Sequence, residues 1–194
     1  MNDLMQQQDL LQKEGYNLLE KCQLIETLEE IGQTSIVGSL QTGLMTWRDI
    51  DIEVVVNKID KEDARKVIDH VINYASRRVD FSIIDNTALI EPHHPKGLYL
   101  GIRYELATQK TWKIDIWFLD NTDSHANEYT LKLKERLTDE SRQIILDIKS
   151  QIDHSPKYAK EIYSTDIYDA VLDKGVKSLD EFKEYLKKLG KSLE

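Results

Sequence analysis

The eight residues DIDIEVVV, at positions 49–56, constrain the fold of this chain more than any other segment. Acidic and apolar side chains alternate at its start, and a period of two is typical of a β-strand with one buried face. On such a strand Asp49 and Asp51 share a face, with their Cα atoms roughly 6–7 Å apart. Two carboxylates this close repel each other. The segment therefore predicts a strand whose polar face receives water or a cation.

The other segments predict an α/β (α+β) fold in which helices flank a mixed β-sheet. Strand patterns occur in TSIVGS, VDFSIIDNTALI, LYLGIRYEL and TWKIDIWFL, and the short link ATQK predicts a hairpin between the last two. Residues 2–31 and 60–78 have helical periodicity, and Gly15 is expected to divide the first of these helices. We predict a core with an N-terminal helix over 1–120 and a C-terminal helical subdomain over 121–194.

Two further features accompany the aspartate pair. Asp115 lies on the polar face of the strand TWKIDIWFL, together with Lys113 and Trp117. Gly38 and Ser39 form a Gly-Ser pair after a buried strand, where backbone N–H groups and a hydroxyl can approach a phosphate. Three carboxylates supply the oxygen ligands that Mg²⁺ or Mn²⁺ prefers. Simpler alternatives remain open, because Asp115 also fits a half-exposed hairpin and Ser39 also fits a helix N-cap.

Composition argues against some classes of protein, although it does not exclude a local basic patch. The formal net charge of −9 argues against a dedicated nucleic-acid binder, which usually carries a basic face. The single cysteine, Cys22, lies in an apolar helical pattern and is expected to be a buried thiol. The sequence has neither an apolar run near 18 residues nor a signal-peptide pattern, so we expect a cytoplasmic protein with no membrane partner.

The order of these motifs resembles a known family. A Gly-Ser pair, nine residues, the triplet DID and a later KID strand resemble the nucleotidyltransferase fold of DNA polymerase beta. The resemblance covers residues 34–120 and applies in particular to the small bacterial members of the aminoglycoside and lincosamide nucleotidyltransferase type. A Gly-Ser pair or a DxD triplet alone is a weak signal. The ordered combination with a third strand carboxylate is considerably more specific.

The resemblance implies an activity and a set of site residues. Asp49, Asp51 and Asp115 would hold two Mg²⁺ ions, with Mn²⁺ as an alternative. Gly38 and Ser39 would bind a nucleoside triphosphate. A hydroxyl of a small-molecule acceptor would attack the α-phosphate, take up a nucleoside monophosphate, expected to be AMP, and release pyrophosphate. The acidic surface would suit a cationic acceptor such as an aminoglycoside.

Several roles remain open within this scheme. Lys113 is expected to balance the carboxylates or bind phosphate, and Arg48 and Thr42 are weaker phosphate candidates. The general base is Asp115 or Glu105, with Glu53 as a third candidate. Further alternatives are a Glu105–Lys113 ion pair across the hairpin, a solvated loop at His93 and His94, and a Trp117 that stacks on a substrate or lies under the C-terminal helices.

Two other functions fit the same motifs. One is adenylylation of a protein, as in antitoxin-type members of the family. The other is a nucleotide-binding module without catalysis. A catalyst releases pyrophosphate and a binding module does not, so this measurement separates the classes.

Overall fold

The computed structural model describes residues 2–88, 94–120 and 125–193, so His93 lies outside the described residues. Within these ranges helices and strands follow one another in this order: α1 (Asn2–Lys21), α2 (Leu24–Glu29), β1 (Gln33–Val37), α3 (Gly38–Thr42), β2 (Asp49–Val55), α4 (Lys61–Tyr74), β3 (Val79–Asp85), β4 (Gly97–Glu105), β5 (Thr111–Leu119), α5 (Ala126–Arg136), α6 (Asp139–Ile152), α7 (Ser164–Lys174) and α8 (Leu179–Lys188).

The strands form one mixed sheet in the order β1-β2-β5-β4-β3. Strands β2 and β5 pair in parallel, whereas the other neighbouring pairs are antiparallel, and β4 and β5 form the predicted hairpin. The parallel pair aligns Asp51 with Asp115 at the centre of the sheet. The prediction of a mixed sheet flanked by helices is therefore confirmed.

One face of the sheet builds the larger hydrophobic core. Ile50 and Ile52 of β2 and Ile114 and Ile116 of β5 are at most 1% exposed, and they pack with residues of α1, α2 and α4. Full burial of such a side chain contributes roughly 1.5–3 kcal/mol. Because these residues alternate with the polar ones, burying them directs the acidic side chains to the opposite face.

The first helix continues through Gly15, so the predicted break at that residue is wrong. The break falls at Gln23, whose φ of 48° is left-handed and separates α1 from α2. Gly15 instead permits close packing, since an added Cβ would lie 3.0 Å from both Leu40 Cδ1 and Trp112 Cη2. The neighbouring Cys22 is a buried thiol, as predicted.

The C-terminal helices form a second hydrophobic cluster. Buried residues of α5 to α8 pack there with Leu44, and Trp47 of the N-terminal part lies against them. Helix α7 ends at Lys174, and Gly175 follows it as the C-cap with a left-handed φ of 69°. The two parts of the chain share contacts, and a division at residue 120 stays a prediction. Among the described residues, no helix combines the length and apolar character needed to cross a bilayer.

Candidate active site

Three carboxylates meet on the sheet face opposite the larger core. Asp49 and Asp51 project from β2, and Asp115 projects from β5. Each contributes one oxygen to a group whose members all lie within 4.8 Å of one another. The parallel register of β2 and β5 causes this convergence, because it places Asp51 beside Asp115. The structure thus brings together the three metal ligands proposed from the sequence.

The cluster concentrates negative charge in a partly buried place. Burial and the charges of Asp49 and Asp115 raise the pKa of Asp51 to about 7. Lys113 lies between two of the carboxylates, with its Nζ 2.5 Å from Asp115 Oδ2 and 3.2 Å from Asp49 Oδ1. Burial alone would lower the pKa of Lys113, but the charges of Asp49 and Asp115 outweigh it and raise that pKa above its ordinary value.

The three aspartates fit a divalent cation. The Oδ1 atom of Asp49 is buried and accepts no hydrogen bond from any described residue, although Lys113 lies close to it. An acceptor of this kind is costly to bury, and a bound metal ion would satisfy it. The ligand set consists of oxygen atoms alone, which suits Mg²⁺ or Mn²⁺.

The Gly-Ser pair lies directly against the triad. Gly38 has a φ of +66°, and a Cβ added to it would lie 2.7 Å from Asp51 Oδ2. Its N–H donates a hydrogen bond to Thr130 Oγ1 on α5, at 3.1 Å. Glycine is therefore required at position 38 both for the backbone conformation and for the close approach to a carboxylate.

Lys149 on α6 is a functional candidate that the sequence analysis missed. This lysine is only 2% exposed, and its Nζ donates to Ser39 Oγ at 2.9 Å and to Leu44 O at 2.8 Å. Burial would lower the pKa of Lys149, but nearby acidic groups, with Tyr168 first among them, raise it. The sequence did contain a signal for this role. Lys149 lies in the apolar stripe of an amphipathic helix, beside Ile145 and Ile148, and a lysine is rarely buried without a specific partner.

Tyr99 of β4 was also missed, and it orients the third carboxylate. Its hydroxyl donates a hydrogen bond to Asp115 Oδ1 at 2.9 Å. Gly101 pairs with Asp115 and leaves the space for this contact, because a Cβ at Gly101 would collide with the Tyr99 hydroxyl. Burial and the charge of Asp115 raise the pKa of Tyr99 to about 12, so the phenol remains a donor at neutral pH.

Glu105 does not join the triad. It pairs with Thr111, four residues along β5 from Asp115, which corresponds to roughly 13 Å. Its Oε1 accepts a hydrogen bond from Arg77 Nε at 2.8 Å. The expected ion pair between Glu105 and Lys113 is wrong, because both residues have other partners.

The weaker candidates have structural partners. Arg48 pairs with Glu14 at 2.7 Å, and the Thr42 hydroxyl donates to Gly38 O at 3.0 Å. Glu53 is 5% exposed and accepts hydrogen bonds from the backbone N–H groups of Ala126 and Asn127, at 3.2 and 3.1 Å. Glu53 thus holds the first turn of α5 against the sheet.

A cavity of about 320 Å³ opens beside the triad. Strands β2 and β5, helices α5 and α7 and the Gly-Ser pair line it, and Asp51, Ser39 and Trp117 are among the lining residues. The Trp117 ring lies 5.2 Å from that of Tyr99 and 5.9 Å from that of His94. Two larger grooves, of about 910 and 730 Å³, lie beside α8 and along α1, away from the triad. The smaller cavity has the volume of a small-molecule site.

Substitution of Gly38 by alanine should impair both folding and ligand binding. The left-handed φ and the contact with Asp51 Oδ2 together should reduce the free energy of unfolding by about 1–3 kcal/mol. Displacement of Asp51 by about 1 Å should lower any transfer rate about 100-fold. Chemical denaturation and metal titration measure the two effects. The same substitution at Gly175, where no atom lies within 4 Å of the added Cβ, controls for backbone strain alone.

The five-stranded mixed sheet with its carboxylate triad defines this protein as one with the nucleotidyltransferase fold. Three solved structures illustrate the likeness. The Cid1 poly(U) polymerase bound to MgGTP matches with a TM-score of 0.60 and 16% identity, over 84% of this chain and 50% of that chain. The same enzyme with Mg 3′-dATP matches at 0.59 and 17%, over 83% and 48%. A cytoplasmic RNA terminal U-transferase matches at 0.54 and 14%, over 88% and 51%.

These comparisons confirm the nucleotidyltransferase fold. Membership in the polymerase beta-like superfamily stays a prediction. The chain spans about half the length of the structures it matches. No described protein family matches the sequence, and no curated protein shows significant similarity to it. Membership in the bacterial aminoglycoside and lincosamide type stays a prediction.

Proposed function

We propose that this protein is a metal-dependent nucleotidyltransferase. It would transfer a nucleoside monophosphate from a nucleoside triphosphate to a hydroxyl group and release pyrophosphate. One observation carries the proposal, namely the convergence of three carboxylates directly beside a Gly-Ser pair and a cavity of about 320 Å³. Likeness of fold to enzymes crystallised with Mg-nucleotides supports it.

The triad would hold the divalent cations. Asp49 offers the buried oxygen without a hydrogen bond, Asp51 borders the cavity, and Asp115 is oriented by Tyr99. Bound cations supply neutralisation of the charge that develops on the phosphate and lower the pKa of the attacking hydroxyl. Asp115 is also the base candidate that lies within the site, whereas Glu105 lies too far along the hairpin to reach a shared substrate.

The Gly-Ser pair and Lys149 would bind the triphosphate. The Ser39 hydroxyl lines the cavity and accepts a hydrogen bond from the Lys149 ammonium, which is held by Leu44 O at the same time. A buried ammonium that contacts a cavity-lining hydroxyl would attract a polyanion strongly, because little water screens its charge.

The acceptor that we propose is a small hydroxylated molecule, and the proposed donor is ATP. The net charge of −9 supports a small or cationic acceptor rather than a long polyanion. Trp117, half-buried beside the cavity, is suited to stack on a nucleobase or on the acceptor. An RNA terminus is the second candidate, because the structural neighbours are a poly(U) polymerase and an RNA terminal U-transferase.

Pyrophosphate release in the presence of Mg²⁺ tests the proposal. Each of the four triphosphates is combined with a panel of hydroxylated small molecules, with short single-stranded RNA, or with a cell lysate that supplies protein acceptors. Label from the α-phosphate then appears in small products, in RNA or in a protein band. We expect ATP-dependent labelling of a small molecule.

The Asp49→Asn/Asp51→Asn double variant is the matched control for this assay. Binding of the triphosphates to the wild type and to the double variant is measured by calorimetry in parallel. Metal-dependent binding to the wild type alone, without pyrophosphate release, would identify a non-catalytic binding module. If neither chain bound any triphosphate, the proposed function would be wrong.

A further inference from the structure

Lys113 lies among the carboxylates that a divalent cation at the triad would have to bind. Its ammonium contacts Asp115 Oδ2 and Asp49 Oδ1, and thereby bridges β5 and β2. These two carboxylates are also two of the three that form the candidate metal site. A positive side chain therefore bridges the same groups that a metal ion would need.

The two cations exclude each other on these oxygens. Mg²⁺ requires carboxylate oxygens at about 2.0–2.1 Å, so an ammonium on the same oxygen would remain less than about 5 Å from the metal. At that distance, in a partly buried place, the repulsion between the two charges is strong. The contact with Asp49 is also incomplete, because Asp49 Oδ1 gains charge neutralisation from Lys113 without gaining a hydrogen bond.

The surroundings of Lys113 would allow it to leave while other contacts hold the carboxylates. Its side chain is 36% exposed, so solvent lies on one side of it. Asp115 stays oriented through its other oxygen, which accepts the hydrogen bond from Tyr99. Asp49 and Asp51 are fixed by the strand whose apolar side chains fill the core.

We infer that Lys113 is an exchangeable internal cation of the active site. It neutralises the triad when no metal is present, and the incoming metal displaces it. This inference rests on the proposed function. Displacement has a cost, so a metal ion alone binds weakly. A metal ion that arrives with a triphosphate binds better, because the released ammonium then has phosphate oxygens to contact.

Manganese binding in the absence of nucleotide tests the inference, because Mn²⁺ is detected directly by electron paramagnetic resonance. Lys113→Met removes the charge, and Lys113→Gln removes it while keeping a polar end. Both should bind Mn²⁺ about tenfold more tightly than the wild type. Lys113→Arg keeps the charge and should bind as weakly as the wild type. Lys110→Met, at an exposed lysine of the same hairpin, is the matched control and should change nothing.

Thermal unfolding supplies a second measurement. Without metal, the two neutral variants should melt at a lower temperature than the wild type, because Asp49 and Asp115 then lose the ammonium that contacts them. Added Mn²⁺ should raise their melting temperature by more than it raises that of the wild type. A neutral variant that folds only when Mn²⁺ is present would also support the inference, because its stability would then depend entirely on the bound metal.

Equal or weaker Mn²⁺ binding by both neutral variants would overturn the inference and leave the proposed function standing. The Asp49→Asn/Asp51→Asn variant must lose the Mn²⁺ signal, which verifies that the titrated site is the triad. If the wild type and every Lys113 variant failed to bind Mn²⁺, both the inference and the proposed function would be wrong.

Discussion

Replacement of Asp51 by asparagine should abolish the proposed nucleotidyl transfer without unfolding the protein. Asp51 supplies one of the three carboxylates, and an amide binds a divalent cation far more weakly than a carboxylate does. The loss of several kcal/mol of metal-derived stabilisation corresponds to a rate decrease of about 1,000-fold or more. In the absence of metal, the variant should be at least as stable as the wild type. Burial of Asp51 beside Asp49 and Asp115 makes its charged form unfavourable, and asparagine carries no charge.

The prediction combines a loss of activity with unchanged or increased stability, so two measurements test it. Pyrophosphate release measures the first effect, and thermal unfolding without metal measures the second. Asp69→Asn, at an exposed position of α4, removes an identical charge far from the triad and should alter neither. A variant at Asp51 that kept more than a tenth of the wild-type rate would contradict the metal assignment. A large loss of stability would instead show that Asp51 has a structural role.

Substitution of Lys149 by methionine should have the second largest effect. Methionine fills most of the volume of the lysine stem, so the helical cluster keeps its packing. The ammonium is lost, and Leu44 O and Ser39 Oγ lose their donor, which should reduce the free energy of unfolding by about 1–3 kcal/mol. The catalytic consequence should be a decrease in kcat/KM for the triphosphate of about 10- to 100-fold, through weaker phosphate binding.

Binding and folding can be separated for this variant. Calorimetric titration with ATP and Mg²⁺ gives the affinity, and urea denaturation gives the stability. Lys188→Met, at an exposed residue of α8, is the control for loss of charge in the helical part of the chain. An unchanged affinity for ATP together with reduced stability would assign Lys149 a purely structural role.

The sequence predicted the strands of the site because their patterns are strong. Asp49, Asp51 and Asp115 each alternate with isoleucines that are fully buried, so the side-chain period specified both the strands and the polar face. The same patterns did not predict which strands pair with each other or in which register. Strands β2 and β5 are separated by more than fifty residues, and only their parallel register places Asp51 beside Asp115.

Residues whose roles depend on distant partners were predicted less well. Glu105 has the correct face but the wrong position along the hairpin, because alternation specifies a face and leaves register undetermined. Lys149 reaches Ser39 across 110 residues of sequence, a contact that no local pattern contains. Tyr99 reads as an ordinary strand tyrosine, and its contact with Asp115 depends on the absence of a side chain at Gly101.

Strands β2 and β5 supply both core residues and the carboxylates of the site, so the stability of the core depends on the same register as the site. If β5 slipped by one residue against β2, Asp115 would turn toward the apolar core and Ile114 would turn toward solvent. Such a chain would lose its hydrophobic core together with its metal ligands. A molecule shifted by one residue in this way should therefore be too unstable to accumulate, so selection for a stable core also disfavours this misalignment of the triad.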